Sequence, residues 1–242
     1  MPALLETSNL QMRFGGLIAT NDVNFAVPTG EMRGIIGPNG AGKTTLVNLI
    51  TGIHAPTSGD IRLRGESLLG LEPHAIARKG LVRSFQVCRL FGSMSLLDNL
   101  LLPWLAHGHK AAGGMPRARE FLELTNLARH ADQPARSLSG GQRALLQVAA
   151  GFMLPDLACY VLDEPFAGIN PVIKETIIAL IEQENRARGV TFVIVSHEMA
   201  IVRRLCRNVT VMIEGRIAAE GTLDEVASRP EVIAAYLGKA FA

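Results

Sequence analysis

Gly37-Pro38-Asn39-Gly40-Ala41-Gly42-Lys43-Thr44-Thr45 fits the spacing G-x-x-x-x-G-K-[ST]. The apolar run Met32-Arg33-Gly34-Ile35-Ile36 precedes it and reads as a buried strand, and residues 43–51 follow as a helix. That order of strand, glycine loop and helix is what a phosphate cradle requires. Glycines let successive backbone N–H groups turn inward, and the positive end of the following helix adds to the pull on an anion. All nine residues, Gly37 to Thr45, are therefore candidates to contact a nucleotide. Lys43 would reach the β- and γ-phosphates, and the Thr44 hydroxyl would bind Mg²⁺.

Outward from this loop, residues 23–27 alternate apolar and polar into the turn Pro28-Thr29-Gly30, and the first forty residues read as short strands with turns. Residues 60–63 give another strand, closing at Arg64-Gly65. The pattern turns helical from about residue 87 to 156, with apolar residues at three- and four-residue spacing over 96–105 and 117–127. Between those two stretches, residues 107–116 hold Gly108, Gly113 and Gly114 and predict a flexible loop. Residues 157–162 return to a buried strand, a helix starts at Pro171, and 191–195 is a second continuous apolar strand. Glu214-Gly215 marks a hairpin between residues 208–213 and 216–219, and two short helices finish the chain over 222–227 and 230–237. The expected fold is α/β. A P-loop core over residues 1–86 and 157–242 includes an antiparallel β subdomain, and a helical subdomain is inserted over 87–156.

Composition narrows the classes. At 242 residues, one domain with an inserted subdomain is the natural size, and aliphatic residues greatly outnumber aromatics, as in proteins built on buried parallel strands. No apolar run approaches the ~20 residues of a membrane span. The start, Met1-Pro2-Ala3-Leu4-Leu5-Glu6, lacks the basic region and cleavage site of a signal peptide, so a cytoplasmic location is expected. Cys88, Cys159 and Cys206 are far apart with no CxxC, which points to reduced thiols. A formal net charge of +2 gives no reason to expect nucleic acid as a partner. The cluster Arg203, Arg204 and Arg207 reads as a solvated helix face.

Val161-Leu162-Asp163-Glu164 supplies a second half to the chemistry. An apolar strand ending in Asp is how a P-loop ATPase holds Mg²⁺, through water, and Glu164 stands where a carboxylate could polarise an attacking water. Ser139, Gly140 and Gly141 open a further helix, and a Ser-Gly helix start offers a hydroxyl and N–H groups to an anion. His197-Glu198 begins like a zinc protease motif, but Ile201 stands where the second His would be needed. No Asn-Lys-x-Asp base-reading motif of a GTPase occurs.

Leu138-Ser139-Gly140-Gly141-Gln142, set between the phosphate loop and Asp163-Glu164, resembles the signature of the ATP-binding cassette (ABC) superfamily, and the likeness runs from end to end of the chain. The resemblance implies a P-loop, RecA-like ATPase that binds ATP and Mg²⁺. It implies that Gln86 contacts Mg²⁺ or water and senses a membrane partner. It also implies that His197 contacts the γ-phosphate and that Phe14 stacks on adenine. Ser139, Gly140, Gly141 and Gln142 would serve the ATP of a second ATPase subunit in a head-to-tail dimer of identical or different chains. Ala167-Gly168-Ile169-Asn170 would cross that interface, with Asn170 where many relatives carry Asp.

Arg13-Phe14-Gly15-Gly16-Leu17, Arg83-Ser84-Phe85-Gln86 with Arg89-Leu90-Phe91, and the tail from Pro230 to Gly238 are similar to the branched-chain amino-acid importer ATPases. That branch implies transmembrane permease subunits, a solute-binding protein acting indirectly, and a peripheral place on the cytoplasmic face of the inner membrane. Val87, Leu90, Phe91, Met94 and Leu97 would offer a surface to a permease helix. Lipid or lipopolysaccharide exporter ATPases have similar sequences. Soluble ABC ATPases of repair or translation tend to carry paired cassettes or long coiled coils, which this chain lacks.

Overall fold

A computed structural model describes residues 3–84 and 89–237, so Gln86, Val87 and Cys88 lie outside the described residues. The chain opens with β1 (Ala3–Phe14), β2 (Leu17–Pro28) and β3 (Met32–Ile36), followed by α1 (Lys43–Ile50). Next come β4 (Ser58–Leu63), β5 (Glu66–Ser67), α2 (Pro73–Arg78) and β6 (Leu81–Arg83). Three helices, α3 (Leu96–Ala106), α4 (Ala111–Leu124) and α5 (Gly140–Gly151), separate β6 from β7 (Cys159–Asp163). The remainder is α6 (Pro171–Arg188), β8 (Thr191–Val195), α7 (Met199–Leu205), β9 (Asn208–Ile213), β10 (Arg216–Gly221), α8 (Leu223–Ala227) and α9 (Pro230–Leu237).

Two sheets result. A mixed sheet has the order β10-β9-β3-β8-β7-β6, parallel throughout except for the β9–β10 hairpin. An antiparallel sheet has the order β2-β1-β4-β5. Strands β7 and β8 are buried along their whole length, which is why they read as unbroken apolar runs rather than alternating ones. On α1 the buried face is Leu46, Val47, Leu49 and Ile50, and burying each such side chain is worth about 1.5–3 kcal/mol. The phosphate loop is thus anchored between a buried strand and a buried helix face.

Two expectations are corrected. The first strands are long, not short: β1 and β2 have 12 residues each, and irregularities in their register let the pairing continue past polar positions. Asn9 and Asp22 take up left-handed backbone there (φ 49 and 55), and the Asn9 side-chain amide donates to Asp22 Oδ1 at 2.8 Å. Residues 107–116 are not one flexible loop either, because α4 already begins at Ala111. Gly113 and Gly114 act there as packing residues. A Cβ on Gly114 would come within 2.8 Å of Trp104 Cγ, so the missing side chains admit the indole of α3. Trp104 Nε1 also donates to the Lys110 carbonyl at 2.9 Å, fixing the entry to α4.

Candidate functional site

The loop between β3 and α1 forms one wall of a cleft of about 600 Å³ whose lining includes Phe14, Asn39, Lys43, Thr44, Asp163 and Glu164. Gly42 shows why the loop is sequence-constrained: its φ is +98, and a Cβ there would stand 2.5 Å from the Ala19 carbonyl of β2. The Lys43 ammonium donates to the carbonyls of Gly37 (2.7 Å) and Pro38 (3.0 Å), so it lies along the inner curve of the loop. The β9–β10 hairpin braces the loop from outside, with the Gly215 N–H donating to the Ala41 carbonyl at 3.0 Å.

Asp163 ends β7, the strand two places from β3 in the mixed sheet, and its side chain is buried, with 4% exposed. Burial pushes its carboxyl above the ordinary value, against the opposing pull of Arg83 and of Lys43. Arg83 Nη2 donates to Asp163 Oδ2 at 2.9 Å. Glu164 follows in left-handed backbone (φ 50), pinned by its N–H to the Val195 carbonyl at 2.9 Å. Its Oε2 lies 2.9 Å from His197 Nδ1, and the His197 side chain is 70% exposed. Phe14 is 44% exposed at the cleft mouth, with its ring edge-on to His54 at 5.5 Å. Phe25, by contrast, is buried in the core, as its alternation with polar neighbours predicts.

Among the described residues, no group of three or more His, Cys, Asp or Glu side chains could hold a metal ion. The fit to Mg²⁺ is of another kind. The Thr44 hydroxyl and the Asp163 carboxylate line the same cleft as the phosphate loop, and Mg²⁺ is ordinarily bound by one or two such oxygens together with substrate phosphates. The donor set fits.

Residues 138–142 are not part of this cleft. Ser139 is the N-cap of α5: its hydroxyl accepts from the Gln142 N–H at 3.3 Å, while Gln142 Oε1 accepts from the Ser139 N–H at 3.0 Å. This capping box engages the Gln142 side chain within α5 itself. Ser139 and Gly140 are exposed, so the helix start faces outward. Gln86 lies outside the described residues.

A second, mainly apolar groove of about 420 Å³ lies between the β6 edge and the inserted helices, lined by residues including Ile53, Arg83, Arg89, Pro103, Gln147 and Tyr160. The surface expected from sequence differs from it. Phe91 is 61% exposed, but Leu90 and Leu97 pack against the hydrophobic core, and none of these three lines the groove. Arg83 was visible in the sequence as part of Arg83-Ser84-Phe85-Gln86, but nothing in its spacing signals that it reaches Asp163, 80 positions away. The Arg203 and Arg204 pair is solvated as expected, with partners at Asp224, Glu175 and Glu182.

The chain matches the family described as ABC transporter over residues 20–167, and the family described as branched-chain amino acid ATP-binding cassette transporter over residues 216–242. It is 40% identical to the high-affinity branched-chain amino acid transport ATP-binding protein BraF of Pseudomonas aeruginosa, over 98% of each chain. It is 37% identical to the corresponding LivG protein of Escherichia coli, again over 98% of each. Among solved structures it resembles an ATP-binding cassette of an ABC transporter in its ADP conformation, with a TM-score of 0.86 at 31% identity over 98% of this chain and 100% of that one. A dimeric bacterial ABC transporter cassette shares the fold, with a TM-score of 0.81 at 24% identity over 90% of this chain and 98% of that one.

Proposed function

The chain belongs to the ABC transporter family as an ATP-binding, ATP-hydrolysing subunit, and from that premise we propose that it energises import of branched-chain or related small amino acids and amides. Two observations support the reading. The phosphate loop, Asp163 and Glu164 converge on one cleft, while the outward-facing Ser139 helix start is not part of it. A cleft that holds half a site and a signature that faces away belong together in a head-to-tail pair. Two ATP molecules would lie between one subunit's phosphate loop and the other's Ser139, Gly140 and Gly141. The second subunit is an identical chain or a sister ATPase.

In this reading the backbone N–H groups of residues 37–45 hold the phosphates, and Lys43 turns from the Gly37 and Pro38 carbonyls to the β- and γ-oxygens. Thr44 and Asp163 would hold Mg²⁺, with Gln86 as a further ligand that the family resemblance implies. When bound, the ion offsets phosphate charge. Phe14 stacks on adenine. Glu164 accepts a proton from the attacking water, and His197, 2.9 Å from its carboxylate, orients that carboxylate and meets the γ-phosphate. Closing the dimer around ATP and opening it after hydrolysis gives the two states whose differential affinity drives transport.

No helix among the described residues is long and apolar enough to cross a membrane. Translocation then requires permease subunits, which would dock in the groove beside β6, placing this subunit peripherally on the cytoplasmic face of the inner membrane. A solute-binding protein would act through the permease, not on this chain. Glu164→Gln is expected to leave ATP binding intact, to cut turnover by roughly a hundredfold or more, and to run as an ATP-dependent dimer on gel filtration. A Glu164→Gln monomer that hydrolyses ATP at the native rate would sink the assignment. For cargo, ATPase stimulation in the reconstituted transporter by a binding protein loaded with a branched-chain amino acid is the expected outcome.

A further inference from the structure

One buried cation stands beside this machinery with no part in it so far. Arg83, at the end of β6, has 9% of its side chain exposed. Its Nη2 donates to Asp163 Oδ2 at 2.9 Å, its Nη1 to Asn48 Oδ1 at 2.6 Å, and its Nε to the Ser84 carbonyl at 3.3 Å. Asn48 belongs to α1, the helix that continues the phosphate loop. The next residue doubles the tie, since the Ser84 hydroxyl accepts from the Asp163 N–H at 3.2 Å. Both the backbone and the carboxylate of Asp163 are therefore fixed by the last residues before the 85–88 segment.

Stability is a poor reason for such a pair. Buried ion pairs can often be replaced by apolar side chains at no cost, because removing both charges from water offsets their attraction. Position offers a better reason. Arg83 lines the groove beside β6, and its partner Asp163 lines the nucleotide cleft. One guanidinium thus spans the wall between the two cavities. Arg89 lines the same groove, and its charge opposes that of Arg83. A group seated in the groove would alter the field on Arg83 directly.

We propose that Arg83 is a positioning residue that holds one oxygen of Asp163, presents the other to nucleotide-bound Mg²⁺, and relays occupation of the groove to that carboxylate. The proposal rests on the reading of Asp163 as the metal carboxylate. Lysine cannot replace it fully, since only a planar fork bonds Asn48 and Asp163 together.

Thermal unfolding of the isolated subunit with ADP, with and without Mg²⁺, tests the first part without turnover. In Arg83→Met the buried carboxylate loses its hydrogen-bonded cation, so more of its charge is left for Lys43 and Mg²⁺ to offset. The Mg²⁺-induced rise in Tm is expected to be about twice that of the native chain or more, with Arg83→Lys in between. ATP hydrolysis by Arg83→Met is expected to show kcat down roughly tenfold with KM changed less than about threefold. A purely structural role would lower Tm equally with and without the metal, and that result would overturn the proposal. Asp163→Asn should markedly reduce the Mg²⁺-induced rise, leaving what Thr44 and the nucleotide phosphates supply. If it does not, the assignment of Asp163 fails first, and this inference with it. In the complete transporter, where a coupling of this kind is worth about fivefold or more, Arg83→Lys should reduce stimulation of ATPase by loaded binding protein to well below the native level. Undiminished stimulation would overturn the relay.

Discussion

Phe14 presents its ring differently from the aromatics of the core. Phe25, Phe121, Phe152 and Phe192 are buried in the hydrophobic core, whereas Phe14 stays 44% exposed at the end of β1, in the wall of the cleft that residues 39–45 line. His54 meets it edge to face, with the ring planes 78° apart, and holds the ring without covering it. A base stacked on an aromatic is worth ~1–3 kcal/mol by alanine substitution, so Phe14→Ala is expected to weaken ATP binding about fivefold to 150-fold. Inorganic tripolyphosphate makes no such stack, so its affinity should be unchanged in the same variant. Equal losses for both ligands would mean that Phe14 supports the loop rather than the base. The backbone course of residues 37–45 was legible in sequence because it is local: glycines where the chain turns, between a buried strand and a helix. The contact of Arg83 with Asp163 was not, because it runs across β6 and β7, and single-residue spacing carries no record of strand order.

Among the elements, α5 shows how a helix terminus can be stable alone and still incomplete. Its capping box satisfies the Ser139 and Gln142 N–H groups within one chain, and Leu145, Leu146, Val148, Ala149 and Ala150 bury its inner face. Ser139→Ala should cost about 1 kcal/mol of stability through the lost cap. It should leave ATP binding by the monomer unchanged, because Ser139 does not line the cleft. In the Glu164→Gln background the same substitution should weaken the ATP-dependent dimer, seen by gel filtration at falling protein concentration; an unaffected dimer would remove Ser139 from the interface. The elements the sequence predicted best are those with buried or capped ends, such as β3, β8 and the start of α6 at Pro171, where Asn170 caps the helix by accepting from the Ile173 N–H at 3.0 Å. It misread residues 107–116, because glycine beside glycine looks like a loop until Trp104 is known to lie against it. It also shortened β1 and β2, because polar residues at register irregularities break the alternation while the pairing continues.

At the scale of the whole molecule, the inserted helices must hold a defined attitude to the core if α5 is to meet another subunit's nucleotide. A buried carboxylate ties α4 to α6. Glu184 of α6, with 4% of its side chain exposed, takes Arg117 of α4 at 2.7 Å and Arg188 of α6 at 2.9 Å. Arg188 also donates to the carbonyls of Phe152, Leu154 and Pro155, the turn by which the chain leaves α5 and enters β7. Arg117 donates to the Phe152 carbonyl as well, at 3.1 Å, so α4, α6 and the turn after α5 meet at one polar knot beside an apolar cluster. Breaking one partner out of a buried pair costs about 3–5 kcal/mol, because the remaining charge is left uncompensated. Arg188→Met should fall near the lower end of that range, since Arg117 stays on Glu184. Amide hydrogen exchange should then quicken in residues 152–158 and through α4 and α5, while β3 and α1, held by their own buried strand and helix face, keep native protection. Nucleotide binding should persist with turnover reduced, because the phosphate loop is intact but the signature helix is no longer held in register with its counterpart. Uniform loss of protection across both parts of the chain would show instead that core and insert unfold as one unit, and that the knot sets stability without setting attitude.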